Sequence, residues 1–314
     1  MLSSVYSTLM DRGARALAHA LVSLAFGALQ SKVFGQRFIK RRVYDYHLWL
    51  DTQDRGISRT LMLFGERELE HKVMLERIVK PGMRIFDVGA NIGYYAIMES
   101  KLVGSEGSVL AVEPSPSNVE LLKRNLVLNG IENTVVREGA VSDKAEIKKF
   151  HLAHQSNLNT FHDTGSGVEH LSGKTIDVQT LTVPDLAEKY GGPDLLRMDV
   201  EGHEVQVLAG MVDAIREGKI RPIVIFETHL SRYTTENNFR PVLEDLFEQG
   251  YSVTLAASSW EEGSKKVKKL GYISTGSIRS DGVEREFFEN IRNHDALEII
   301  CNSGGLRTIV LSAE

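Results

Sequence analysis

The chain has 314 residues, 42% of them hydrophobic and 25% charged, with seven prolines and 27 glycines, proportions that exclude a disordered or fibrous protein. A formal net charge of −5 and a pI of about 6.1 argue against a dedicated nucleic-acid binder, which carries a basic excess. The single cysteine, Cys301, excludes a disulfide scaffold and a thiolate zinc cluster and points to a reducing, cytoplasmic setting.

In chain order, the first feature is "ALAHALVSLAFGALQS", residues 16–31, which is free of charge and sets Leu17, Leu21, Leu24 and Ala28 on one helical stripe. Its 16 residues fall short of a membrane span, which needs about 20, and no signal-cleavage site follows. Lys32, Arg37, Lys40, Arg41 and Arg42 then come without an intervening acid. Residues 1–60 therefore read as a helical and basic extension. Its segment 16–42 suits either peripheral contact with a membrane surface or a helix packed on the domain with a solvated basic face.

Residues 61–314 read as one domain. Short apolar runs alternate with amphipathic segments: "RIFDV" as a strand, 92–101 as a helix, and "SVLAVE" (108–113) as a second strand. Pro114 and Pro116 break the chain, Ser117 and Glu120 form a capping-box pattern, and Asn129-Gly130 supplies a left-handed stop. "NTVVREGAV" (133–141) reads as a third strand, followed by strands near 194–200, 222–228 and 251–257, with a helix opening at Pro241. Two insertions interrupt the rhythm. Residues 143–183 look like a β-hairpin holding a polar loop, and the Lys/Glu/Arg-rich 260–295 reads as a surface excursion before the final strand material. This alternation predicts an α/β, three-layer, Rossmann-like fold with a mostly parallel sheet, whose ligands bind outside the carboxyl ends of the strands.

The residues at those strand ends are informative. "DVGANIG" places Asp87, Gly89, Asn91 and Gly93 at the first turn, without the G-x-G-x-x-G spacing a pyrophosphate would want. A carboxylate at its start suits an ammonium group instead. Glu113 ends the second strand, where an acid can accept hydrogen bonds from both ribose hydroxyls. Gly139, Ala140 and Val141 offer a small apolar wall for a base. Together these describe a nucleoside with an amine-bearing tail and no phosphate, which S-adenosylmethionine satisfies.

"RMDVEGHE" and "FETH" bring Asp199, Glu201, His203 and Glu204, then Glu227 and His229, to the same edge. His203 or Glu227 is expected as the base that takes a proton from the acceptor, with Glu201 and His229 as further candidates. His203 equally reads as a helix cap, and Glu227 as the partner of a basic side chain. Asp199, Glu201 and Glu227 could offer oxygen ligands, but no dedicated ligand spacing is present, so no required metal is expected.

Over residues 60–255, the runs "PGMRIFDVGANIGYYAI", "VLAVEPSPSNVELLKRNLVLNG", "GAVSD" and "DLLRMDVEGHEVQVLAG" resemble the FkbM family of S-adenosylmethionine-dependent methyltransferases. "LFGERELE", with Gly65 and Glu68, matches the G-x-x-E with which that family begins. The resemblance implies a seven-stranded sheet with an antiparallel last strand and mainly O-methylation of a sugar, glycolipid or natural-product hydroxyl. It also implies that Asp87, Gly89, Asn91 and Gly93 line the methionine portion, that Glu113 holds the ribose, that Ala140 and Val141 flank adenine, and that Asp199 sits beside the transferred methyl. A small-molecule or glycan acceptor is expected, and no nucleic acid. The rivals are a nicotinamide-dependent oxidoreductase and a non-catalytic member that keeps the fold as a binding module.

Overall fold

The computed structural model describes residues 35–163 and 168–313. The apolar stretch 16–31 and Lys32 lie outside the described residues. The described chain opens with a hairpin of β1 (Phe38–Val43) and β2 (Tyr46–Asp51), then α1 (Ile57–Phe64) and α2 (Leu69–Ile78). The alternating core follows as β3 (Arg84–Val88), α3 (Tyr94–Val103), β4 (Ser108–Glu113), α4 (Pro116–Leu128) and β5 (Thr134–Glu138). The first insertion holds β6 (Ala140–Val141), β7 (Ile147–Ala153) and β8 (Leu171–Leu181). Next come α5 (Val183–Tyr190), β9 (Leu195–Met198), α6 (Glu204–Ala209), α7 (Val212–Arg216), β10 (Ile223–Glu227), α8 (Phe239–Glu248) and β11 (Tyr251–Ser258). The chain ends with α9 (Glu261–Lys269), β12 (Gly276–Ser280), β13 (Val283–Ile291), α10 (Asn293–Glu298) and β14 (Leu306–Ala313).

The main sheet runs β12-β13-β11-β14-β10-β9-β3-β4-β5. Its five central and edge strands β10, β9, β3, β4 and β5 are parallel, and β14 slots antiparallel between β10 and β11. The expected seven strands are all present, with the last antiparallel. The β12–β13 hairpin adds two more, and it comes from 260–295. That segment is therefore not a surface excursion beyond α9: β13 pairs with β11 and buries Phe287, Phe288 and Ile291. A strand with one buried face can carry charges on alternate positions, so a composition average conceals it.

Period-two alternation sends side chains to two separate cores. Phe86, Leu110, Leu196, Phe226 and Leu311 pack against α5–α8 and α10, whereas Ile85, Val109, Leu195, Ile225 and Val310 face the hairpin and α1–α4. Each such side chain contributes about 1.5–3 kcal/mol by leaving water. The β1–β2 hairpin belongs to the second layer: Asn125 of α4 and Asn129 just after it accept from the backbone of Trp49 and His47 at 2.7 and 2.9 Å.

Three local expectations are corrected. Ser115, not Ser117, precedes α4 as its cap residue, because Pro116 fixes its own φ as the first helical residue and leaves Ser117 inside the first turn. The helix after the glycine turn starts at Tyr94 rather than 92, since Gly93 adopts a left-handed φ of 90°. The third strand breaks at Gly139, and Ala140–Val141 leaves the main sheet to pair with β8. No helix among the described residues is long and apolar enough to cross a membrane.

Candidate active site

Strand order reverses between β3 and β9, and the crevice opens there. The turn after β3 is shaped by contact with the turn after β9. Gly89 has φ 81°, and a Cβ on it would lie 2.3 Å from the Asp199 carbonyl oxygen. Asn91 follows with φ 50°, so the chain makes successive left-handed steps before α3 begins.

Asp87 does not reach the crevice. It is fully buried, and its Oδ1 accepts from Arg197 Nη1 at 3.0 Å, with the guanidinium 4.2 Å from the Tyr95 ring. Burial raises its pKa, and Arg197 opposes the rise. The expectation that Asp87 lines the methionine portion gives way to a supporting place beneath the turn. Gly93 is likewise outside the crevice wall, packed against Leu122. Arg197 lies 110 positions from Asp87, so no local pattern announces their pairing.

The crevice is a cleft of about 500 Å³ whose wall includes Gly89, Asn91, Glu113, Ala140, Val141 and Asp199. Glu201 and His203 close one side. Residues 143–183, where the sequence predicts a hairpin with a polar loop, complete it with Phe150, Asn157, Asn159 and Phe161. Glu113 is held as an acceptor: Oε2 takes the Asn91 amide at 2.9 Å, and Oε1 takes the Ser115 amide at 3.0 Å and Asn118 Nδ2 at 3.1 Å. Burial nonetheless pushes its pKa up to about 7. Asn91 Oδ1 and His203 Nδ1 are buried in the wall without a hydrogen-bond partner. Orphan polar atoms beside a carboxylate and an apolar pocket fit a nucleoside with a polar tail.

The sequence-predicted acids and imidazoles do converge, but each arrives with partners. His203 sits at the N-terminus of α6 without capping it; its Nε2 is 3.0 Å from Ser142 Oγ and its ring 4.5 Å from Phe161. Burial, helped by His162, lowers its pKa to about 3. Glu227 forms an ion pair with Arg307 at 2.7 Å, yet burial raises its pKa to about 8. Glu68 is buried with φ 50°, paired to Arg67 and to Arg307 at 3.3 Å, and accepts from Tyr95 Oη at 2.9 Å. It therefore lines a neighbouring opening rather than the cleft. Glu68, Asp199 and Glu227 lie with ligand atoms within 4.8 Å of one another. His229 Nδ1 lies 3.0 Å from Glu204 Oε1, and its Nε2 faces Glu201 at 3.7 Å and Asp199 at 3.8 Å. Burial would lower the His229 pKa, but Glu204 and Glu201 outweigh it and hold it well above the usual imidazole range. Burial raises Glu201 to about 7 against the pull of His229.

A family model described as the methyltransferase FkbM domain matches residues 87–253, and one described as protein-L-isoaspartate(D-aspartate) O-methyltransferase matches 7–143. The chain is similar to the hexuronic acid methyltransferase AglP of Haloferax volcanii, at 26% identity over 219 residues, covering 66% of this chain and 79% of that one. It is also similar to the 31-O-demethyl-FK506 methyltransferase FkbM of Streptomyces tacrolimicus, at 28% identity over 173 residues, covering 46% and 64%. For two further curated methyltransferases the chain spans 28% and 31% of their length. Among solved structures, M. jannaschii TYW2 in complex with AdoMet aligns at 14% identity over 82% of this chain and 88% of that one, with a TM-score of 0.39.

Proposed function

The chain belongs to the methyltransferase FkbM domain family, and from that membership we propose that it moves a methyl group from S-adenosylmethionine to a hydroxyl oxygen of a small molecule or glycan. The observation that carries this reading is the cleft at the switch point, where Glu113, Asn91 Oδ1, which has no hydrogen-bond partner among the described residues, and the Ala140–Val141 wall surround one hollow. When bound, S-adenosylmethionine supplies a methyl group on a sulfonium, a leaving group that needs no protonation. What remains for the protein is to align the acceptor and take its proton, and alignment alone can supply several kcal/mol.

Glu113 would accept from the ribose hydroxyls and Asn91 from the polar tail. Asp199 and Glu201 form the wall toward the acceptor. Glu227 is the base we carry forward: it stands between Asp199 of the cleft and Arg307 of the second opening, and its raised pKa of about 8 lets it hold a proton once ionised, whereas His203 at about 3 holds one poorly. His203 is better placed as an apolar-faced wall beside Phe161.

The acceptor is proposed to enter through a second opening of about 700 Å³, lined in part by Arg67, Glu68, Asp281, Arg285 and Arg307. Asn157 lines both openings, so they share a wall. Guanidinium, carboxylate and amide groups in one hollow suit a hydroxyl-rich acceptor, in keeping with the hexuronic acid and 31-O-demethyl substrates in the names of the two relatives. Peripheral membrane contact through residues 16–42, which would favour a lipid-borne acceptor, is part of the same proposal.

Calorimetry with S-adenosylhomocysteine and NAD side by side tests the donor. Saturable binding of the first and none of the second is expected, and the reverse result would refute the reading. Labelled methyl donor offered with sugar and polyketide alcohols should then place label on oxygen.

A further inference from the structure

We infer that Asp199, Glu201 and His229 form a divalent-cation site in the wall of the cleft. The three come from two strand ends: Asp199 and Glu201 follow β9, and His229 follows β10. Adjacent parallel strands bring those ends together, and one ligand atom from each residue lies within 4.8 Å of the others.

The acids around His229 hold a proton on its ring that an arriving ion would displace, and the contacts of the ring set how it would then be aimed. Its Nδ1 is fixed at 3.0 Å from Glu204 Oε1. Glu204 is itself buried and immobilised by the Tyr233 hydroxyl at 2.6 Å and the Gly202 amide at 3.0 Å. A carboxylate on one ring nitrogen is how proteins set the tautomer and aim of a metal-binding imidazole. The other nitrogen, Nε2, then points at Glu201 Oε2 and Asp199 Oδ1, but at 3.7 and 3.8 Å it makes a hydrogen bond to neither. Ligands about 2.0–2.2 Å from a common ion, at tetrahedral to trigonal angles, stand about 3.3–3.8 Å apart. The two separations from Nε2 fall in that range, and the carboxylate oxygens lie within 4.8 Å of each other.

The neighbouring carboxyl group provides a contrast. Glu68, Asp199 and Glu227 are equally close together, but Arg307 lies between them, 2.7 Å from Glu227 and 3.3 Å from Glu68. A guanidinium already fills the role a cation would play there. In the His229 cluster the nearest guanidinium, Arg197, faces Asp199 Oδ2 at 3.7 Å and leaves Oδ1 toward His229, and among the described residues the ion pair of Glu201 within 4 Å is the one to His229.

Two carboxylates and one imidazole suit a first-row divalent ion such as Mn2+ or Zn2+. Because Asp199 and Glu201 line the cleft, an ion on them would meet a bound hydroxyl and ease loss of its proton. That last role rests on the methyl-transfer reading; the binding site itself does not.

The test is titration of the full chain, stripped with EDTA and desalted, with Mn2+ alone, read by loss of the free-ion EPR signal. One ion bound per chain is expected, with nitrogen coupling from a single imidazole in pulsed EPR. Absence of saturable binding, or a bound ion without nitrogen coupling, would overturn the inference, and both are read on the parent chain whether or not any variant folds. His229→Ala and Glu201→Gln should each weaken Mn2+ binding at least tenfold, and the exposed Glu106→Gln should leave it unchanged. Undiminished Mn2+ binding by folded His229→Ala would also overturn it. A parent chain that binds Mn2+ but not S-adenosylhomocysteine would leave this site standing and remove the methyl-transfer reading instead.

Discussion

At the residue scale, Glu113 feels two opposing influences. Three donors stabilise its carboxylate, but burial wins and its pKa rises from 4.5 to about 7. A carboxyl raised on folding adds stability below its unfolded pKa and loses it as pH climbs through the folded value, so the unliganded fold should weaken between pH 4.5 and about 7. Donor binding should move the other way, because the ionised form is the better acceptor of ribose hydroxyls. Affinity for S-adenosylhomocysteine should therefore increase from pH 6 to pH 8 by calorimetry. Glu113→Gln should be weaker by roughly tenfold to a hundredfold, with a flat pH response. The acceptor side has its own residue-level test. Glu227→Gln should lower kcat about a hundredfold or more with KM little changed, whereas His203→Ala should stay within a few-fold of the parent. A steady-state comparison of the two variants reads both. Asp87 shows the limit of motif reading at this scale: its position was found, but its salt bridge to Arg197 took its charge out of the cleft.

At the scale of elements, the site is built by two turns in contact and one insertion folded over them. Gly89 is the tightest point, since a side chain there would meet the backbone of Asp199 at 2.3 Å in a left-handed conformation. Gly89→Ala should destabilise the fold by about 1–3 kcal/mol or more and abolish donor binding, measured by urea unfolding and calorimetry. The periodicities of β3, β4, β9 and β10 made these turns legible, because glycine placement and apolar runs are local properties of the chain. The contribution of 143–183 was not legible. Phe150 and Phe161 pack ring to ring at 4.8 Å and line the cleft only because β6 and β7 both pair with β8.

At the scale of the whole molecule, the β12–β13 hairpin is part of the core. Phe288 lies fully buried in the layer of α5–α8, so Phe288→Ala should cost about 3–5 kcal/mol in chemical denaturation. An excursion on the surface would lose far less. The described part of the basic extension is also structural: β1 pairs with β2, and Arg37 binds Asp51 at 2.8 Å. A fair test of membrane contact is therefore co-sedimentation with anionic liposomes of the full chain against one beginning at Gly35, which keeps the hairpin. Pelleting of the full chain alone is expected, and equal pelleting would remove the membrane proposal. Taken by itself, the sequence determined the strand–helix alternation of the central core and the turns where a ligand would bind, since both follow from short-range periodicity and turn chemistry, whereas the antiparallel last strand was implied only by the family resemblance and the β1–β2 and β12–β13 hairpins by neither. Only the tertiary structure decided which ionisable groups at those turns are already matched. Arg197 reaches Asp87 across 110 positions and Arg307 reaches Glu68 across 239, and pairing over such distances depends on strand order and burial rather than on any local pattern.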